Sequence, residues 1–178
     1  MRVILAEKPS VAQSIAAVLG ADQKKNGYLQ GENDLVSWCI GHLIELAPPE
    51  IYDARYAKWR REDLPIVPSA WENVVSDGTK KQFAVLKDLL NRTDVDEVVC
   101  ATDAGREGEL IFRMVYEKTG CTKPVKRLWI SSLEESAIRE GFRSLKPGTA
   151  YDALYRAALC RAQADWLVGI NGTRLYSR

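Results

Sequence analysis

Two periods of apolar residues alternate along this chain: short unbroken runs of Val, Ile, Leu and Ala, and longer stretches with apolar positions three and four apart. Arg2 to Ala6 is one of the short runs. A strand that is apolar on both faces belongs in the buried centre of a sheet. Behind it Val11, Ile15, Val18 and Leu19 recur at helical spacing, and Ser10 followed by Gln13 predicts a capping box at the start of that helix. Glu97 to Ala101 repeats the buried run, and Leu110, Ile111, Met114 and Val115 line one face of the helix behind it. Between these units Gly27 to Ile40 predicts a hairpin turning at Gly31-Glu32-Asn33-Asp34, and Pro48-Pro49 ends it. Residues 51–68 are rich in Pro, Tyr, Trp and charge but have no period, which predicts an excursion over the surface near the mouth of a crevice.

Trp71 to Val75 predicts a further strand, and Asp77 a cap for a helix with Phe83, Leu86, Leu89 and Leu90 inward. Val125 to Ile130 predicts another strand. Ser132 with Glu135 predicts a second capping box, for a helix through Ala137, Ile138 and Phe142. Strand and helix alternate throughout, so the expected fold is an α/β layer with a mainly parallel sheet flanked by helices. Lys146-Pro147-Gly148 is the clearest boundary. Beyond it Tyr151 to Ile170 reads as one long helix whose apolar residues Leu154, Ala158, Trp166, Leu167 and Ile170 look like the opening of a second domain. The expected organisation is therefore one domain over residues 1–148 and an incomplete second over 149–178, in a piece of a longer protein.

Composition narrows the classes. The 178 residues, about half of them apolar, are enough for a substantial core. A net charge of +1 means that any nucleic-acid partner must be held by a local patch and not by the field of the whole molecule. Cys39, Cys100, Cys121 and Cys160 are far apart with no C-x-x-C pair, which fits reduced, structural thiols in a cytoplasmic protein. No stretch approaches the ~20 apolar residues of a membrane span, and no membrane partner is expected.

Chemistry concentrates where the two buried runs turn into helices. Glu7-Lys8-Pro9-Ser10 follows the first, and Thr102-Asp103-Ala104-Gly105-Arg106-Glu107-Gly108-Glu109 the second. Turns at the carboxyl ends of parallel strands line one crevice, so Glu7 and Asp103 converge if their strands are neighbours. Two carboxylates ~4 Å apart repel by roughly 4 kcal/mol at an effective dielectric of 20, which a cation relieves. Oxygen-only ligands favour Mg²⁺. Acid at a helix start also suits the macrodipole, which accounts for Glu107 and Glu109 but less well for Asp103 and Gly105. Lys58-Trp59-Arg60-Arg61 mixes a ring with three cations, the pairing that single-strand binders use, although a solvated loop with a buried tryptophan has the same composition. Arg161, Asp165, Trp166 and Arg174 add candidates on the last helix, where Arg161 and Asp165 also form an ordinary i,i+4 pair. His42 has no second histidine at ligand spacing and reads as a structural or hydrogen-bonding residue, not a metal ligand.

Together E-K-P-S, A-T-D-A-G-R-E-G-E-L-I, the intervening G-H-L-I-E-L with W-R-R-E-D-L-P-I, and the late R-A-Q-A-D-W-L-V-G-I-N-G-T-R resemble the amino-terminal part of type IA DNA topoisomerases, bacterial topoisomerase III most closely. The resemblance covers essentially the whole chain. It implies a Toprim domain, Rossmann-like in build, followed by the start of the domain that carries much of the single-strand groove. It implies a Mg²⁺-dependent enzyme in the bacterial cytoplasm that cuts one DNA strand through a 5′-phosphotyrosine, passes another strand and reseals without ATP. By position it implies Glu7, Lys8 and Asp103 as catalytic residues, with Glu7, Asp103 and Glu107 around the metal. DNA contacts are implied for Lys8, Trp59, Arg61, Arg106, Arg161, Trp166 and Arg174. Two departures matter. Many relatives have Asp-x-Asp where this chain has Asp103-Ala104-Gly105, so one weakly held Mg²⁺ is expected. The nucleophile motif S/T-Y-P-R-T is absent, and Tyr176 lacks the following proline, so this chain alone is expected not to cleave DNA. A Toprim nuclease or primase-like enzyme, and a non-catalytic single-strand-binding module, are the alternatives.

Overall fold

The computed structural model describes residues 1–177. Its centre is a seven-stranded sheet in the order β2-β3-β4-β1-β7-β8-β9, built from Gln23–Lys25, Tyr28–Gln30, Asp34–Trp38, Arg2–Ala6, Glu97–Ala101, Val125–Arg127 and Lys146–Pro147. The middle four strands, β4-β1-β7-β8, are parallel; β2, β3 and β9 add antiparallel pairs at the two edges. The predicted α/β layer is therefore present, with hairpin-like additions at its margins. A second, two-stranded sheet pairs β5, Ile44–Leu46, with β6, Asn73–Val75, so the strand expected at Trp71 to Val75 lies outside the main sheet.

The unbroken apolar runs sit where expected, because their alternate residues feed two cores. Val3, Leu5, Val98 and Cys100 face one cluster, closed by α3 (Lys80–Leu90) and α4 (Arg106–Thr119). Ile4, Ala6, Val99 and Ala101 face the other, closed by α1 (Pro9–Leu19) and α5 (Glu135–Arg143). Strand β1 is central, paired with β4 on one side and β7 on the other, with Ala6 opposite both Trp38 and Ala101. Its final residue and that of β7 therefore end level.

Three predicted caps differ in detail. Helix α1 begins at Pro9, with Lys8 as its N-cap residue and no side-chain cap, so Ser10 lies inside the first turn. Proline at the first helical position presets φ for the helix, and the amide it lacks would have had no intrahelical partner. Helix α3 starts at Lys80 after a short 3₁₀ turn, and Asp77 pairs with Lys80 instead of capping. Ser132 accepts from the Glu134 amide at 3.2 Å, one residue short of a capping-box contact. Helix α6 runs farther than predicted, Asp152–Tyr176, and packs on the main body: Ala158 is buried, with Tyr155, Leu159 and Ala162 against the first core cluster. Between β5 and β6 the chain includes the short helix α2, Pro49–Tyr52.

The cysteines divide as burial dictates. Cys39, Cys100 and Cys121 are buried and unpaired, and Cys160 is exposed. Burial pushes the Cys39 thiol far above its ordinary range and the Cys100 thiol up to about 11. Thiolate is the reactive form, so native protein treated with iodoacetamide at pH 8 is expected to be modified at Cys160 alone. All four cysteines are expected to react after unfolding, and peptide mapping by mass spectrometry reads the difference.

Candidate functional site

The level ends of β1 and β7 deliver the two acidic turns to neighbouring positions. The Asp103 amide donates to Glu7 Oε2 at 3.2 Å, joining residues 96 apart in sequence. Lys8 Nζ stands 4.0 Å from Asp103 Oδ2, both side chains 58% exposed. At that exposure the pair contributes little to stability, and its members stay available to an incoming group. Glu7, Lys8 and Asp103 thus form one open cluster of two carboxylates and an ammonium. Arg106 and Glu107 open α4 beside them, with the unpaired amides of the helix start and their positive potential. Glu107 Oε2 lies 3.5 Å from His42 Nε2, so the histidine stands beside this site.

The turn folds back over its own helix, and Gly108 permits it. A Cβ at Gly108 would fall 2.0 Å from the Asp103 carbonyl oxygen, with nothing between. Gly105, by contrast, has open space around it and an extended φ of 168°, which any residue adopts. The glycine that stands in place of a second aspartate is therefore not required sterically.

Beneath the turn, Glu109 is buried between two arginines: Oε2 accepts from Arg127 Nε at 2.9 Å and Oε1 from Arg113 Nε at 3.2 Å. Arg113 continues to the Gly148 carbonyl at 2.7 Å and Asp152 Oδ1 at 2.8 Å, tying α4 to the start of α6. The expectation of a structural Glu109 agrees with this burial. Arg127 was not singled out by the sequence, and its only local sign is a cation inside a strand-like run.

The remaining predicted residues lie along α6. A cleft of about 320 Å³ is lined by His42, Glu107, Met114, Arg161, Asp165 and Trp166. A second, of about 430 Å³, is lined by Pro49, Trp59, Asp165, Trp166, Thr173 and Arg174. The two share Asp165 and Trp166, so they adjoin along the helix. Trp59 is 57% exposed, and the Arg174 guanidinium sits over its ring at 5.3 Å. Arg174 is itself buried, yet its Nη1 has no hydrogen-bond partner among the described residues. Arg61 reaches the Leu175 carbonyl at 3.5 Å, and Arg161 lies 3.6 Å from Asp165 on the exposed helix surface. Trp166 is held by the protein: its Nε1 donates to the Ala47 carbonyl at 3.0 Å, and its ring meets Tyr52 and Trp71 edge-on. Its indole thus anchors α6 to the segment after β5, leaving one side toward the clefts.

For a metal, the described residues contain no cluster of three or more His, Cys, Asp or Glu side chains able to enclose an ion. What they offer is two carboxylates, Glu7 and Asp103, in an open, hydrated setting. That donor set suits an ion that keeps most of its own water, as Mg²⁺ does.

A family model described as the Toprim domain matches residues 2–133. The chain is 56% identical over 173 residues to a DNA topoisomerase 3 of Shouchella clausii (strain KSM-K16), covering 97% of this chain and 24% of that protein. To a DNA topoisomerase 3 of Staphylococcus epidermidis it is 52% identical over 172 residues, with the same coverage of 97% and 24%. The chain thus spans 24% of the length of these relatives. Among solved structures, full-length topoisomerase I from Thermotoga maritima matches with a TM-score of 0.62 at 24% identity, over 93% of this chain and 24% of that one. That likeness concerns the fold alone. Since the matching model runs through both acidic turns and the parallel strands that bring them together, the chain belongs to the Toprim domain family.

Proposed function

We propose that this chain is the Toprim region of a type IA DNA topoisomerase of the topoisomerase III kind, and that Glu7, Lys8 and Asp103 act on the scissile phosphodiester. The observation that carries the reading is the Asp103 amide on the Glu7 carboxylate with Lys8 beside them, in a chain more than half identical to DNA topoisomerase 3. In the proposed reaction a tyrosine outside this chain attacks phosphorus. The bond to the 3′-oxygen breaks as the bond to the tyrosine oxygen forms; the phenolic proton leaves to solvent water, and the protonated Glu7 carboxyl gives its proton to the departing oxygen and is left as carboxylate. Lys8, largely exposed, places its ammonium against a non-bridging phosphate oxygen and offsets the charge that develops there. Resealing reverses these steps, and the phosphotyrosine retains the bond energy, so ATP is not required. Glu7 and Asp103 would hold Mg²⁺, with Glu107 able to join by turning from His42; a bound Mg²⁺ would neutralise phosphate charge at the turn.

The adjoining clefts along α6 suit a single strand. Exposed Trp59 offers a ring on which a base can stack, for roughly 1 to 3 kcal/mol, and the exposed Arg61, Arg106 and Arg161 offer cations for phosphates, whereas Arg174, expected among them, is buried and instead backs the Trp59 ring. Trp166 would support the groove wall. Binding of a labelled single-stranded oligonucleotide, followed by anisotropy across a salt series, is expected to weaken with salt. The slope should fall by about 0.7 for each phosphate contact removed, as in Arg161→Ala.

The deciding experiment is cleavage of a labelled single-stranded oligonucleotide in Mg²⁺ or Mn²⁺ by this chain and by Glu7→Gln. No cutting by either is expected. Cutting that disappears in Glu7→Gln would establish a self-sufficient nuclease and overturn the reading. Calorimetric titration tests the metal site separately: weak Mg²⁺ binding is expected for the wild type and none for Asp103→Ala. Equal heats from the two would remove the site. Gly105→Asp, which has room for its side chain, is expected to tighten binding by adding a carboxylate.

A further inference from the structure

We infer that Arg127 is a positioning residue for this turn: its buried guanidinium grips the carbonyls of Thr102 and Asp103 from behind and thereby aims the Asp103 amide at Glu7. The side chain is fully buried, and three of its donor contacts gather on the chain from Cys100 to Asp103, the weakest being Nη1 to the Cys100 carbonyl at 3.3 Å. Nη1 donates to the Thr102 carbonyl at 2.6 Å and the Leu128 carbonyl at 2.9 Å, and Nη2 to the Asp103 carbonyl at 2.8 Å. Nε holds Glu109 Oε2, and the rings of Trp129 and Tyr151 lie 5.0 and 6.0 Å from the guanidinium carbon.

Neutralising Glu109 needs only one edge of the fork. The reach to two successive carbonyls beyond the end of the β7–β8 ladder, whose last pair is Cys100 with Arg127, serves another purpose. In a trans peptide the carbonyl and the amide point in opposite directions. With the Thr102 carbonyl turned down to Arg127, the amide of Asp103 must point up, and it meets Glu7 Oε2. Were this peptide to flip, a carbonyl oxygen would face the Glu7 carboxylate and the two would repel. The same reasoning turns the Ala104 amide away from Arg127. Lysine could supply charge to Glu109 but not a planar fork wide enough for two carbonyls and a carboxylate. The grip is anchored in turn, because the other oxygen of Glu109 takes Arg113, which holds Gly148 and Asp152.

The catalytic consequence rests on the proposed roles of Glu7 and Asp103, whereas the positioning itself needs neither metal nor DNA. It is read by ¹H–¹⁵N NMR at one pH. Glu7→Gln is expected to shift the Asp103 amide clearly in the wild-type background. In the Arg127→Lys background the same change should move it by less than about half as much, because the hydrogen bond depends steeply on direction. An equal shift in a folded Arg127→Lys protein, shown by unchanged sheet amides, overturns the positioning role; so does an Asp103 amide that ignores Glu7→Gln in the wild type. Should Arg127→Lys fail to fold, the wild-type guanidinium decides. Separate, slowly exchanging Nη protons are expected from a held fork, and one averaged resonance overturns it. Loss of metal binding or DNA cleavage from the proposed function would leave each of these results unchanged.

Discussion

Glu109→Ala is expected to destabilise the folded chain by about 3–5 kcal/mol, the cost of leaving a buried charge without its counter-ion. Both Glu109 and Arg127 are about 1% exposed, and no other carboxylate among the described residues pairs with Arg127. Other ion pairs near the clefts are of a different kind. Lys8 with Asp103 and Arg161 with Asp165 stand in solvent, where such pairs contribute roughly 0–1 kcal/mol. For a domain of this size each kcal/mol moves the melting temperature by about 2–4 °C, so the loss should appear as a fall of about 6–20 °C. Urea unfolding gives the free energy directly, and a change under about 1 kcal/mol would show that the pair is not isolated from water. Removing both partners, as in Glu109→Leu with Arg127→Met, often recovers such a loss elsewhere. Here recovery should be partial. The carbonyls of Thr102 and Asp103 would lose their donor, and a buried acceptor left unmet costs about 1–3 kcal/mol.

This network also shows where the sequence stops being informative. The strands Arg2–Ala6 and Glu97–Ala101 were legible because burial on both faces leaves an unbroken apolar run, and the acidic turns behind them followed from the same reading. The pairing of those strands depends on topology, yet the acid at each turn made convergence a specific expectation. Arg127 was not legible. Its partner Glu109 is 18 residues away, and the carbonyls it grips carry no mark in the sequence at all. His42 escaped for a related reason: only the return of the chain after β4 brings it to Glu107. Short pieces such as β2 and β9, two or three residues each, are too brief to show a period, and pairing with a neighbouring strand creates them. The helix starts erred through competition: Ser10 has the chemistry of a cap, but Pro9 immediately before it fixes where the helix begins. At the other end of the chain, the apolar spacing showed that α6 has a face to bury but not what that face meets. Its inner face is already covered by α4, while Val168, Leu175 and Tyr176 remain exposed.

The glycines of the second turn give the sharpest separation between what the sequence shows and what packing demands, and they support a prediction with two readouts. Gly108→Ala is expected to damage both stability and the site, and Gly105→Ala neither. A methyl at position 108 would lie 2.0 Å from the Asp103 carbonyl oxygen and 2.9 Å from its carbonyl carbon, so backbone must move. That oxygen is held by Arg127 Nη2, and the amide of the same residue is held by Glu7, so displacing it breaks contacts on both sides. Overpacking of this kind costs about 1–3 kcal/mol, occasionally more, and exceeds the gain of about 1 kcal/mol that alanine brings to a helix interior. At position 105 nothing lies within 4 Å and φ is extended, so alanine should change stability by under about 1 kcal/mol, the cost of a poorer helix cap. Calorimetric Mg²⁺ binding to this chain should follow the same division, weakened or lost in Gly108→Ala and retained in Gly105→Ala. In an enzyme carrying the tyrosine, a turn displaced by about 1 Å should lower the rate of strand cleavage by about 10²-fold. Wild-type metal binding and stability in Gly108→Ala would mean that the turn can rise off the helix without consequence, and the rigid link from Arg127 through Asp103 to Glu7 would fail with it.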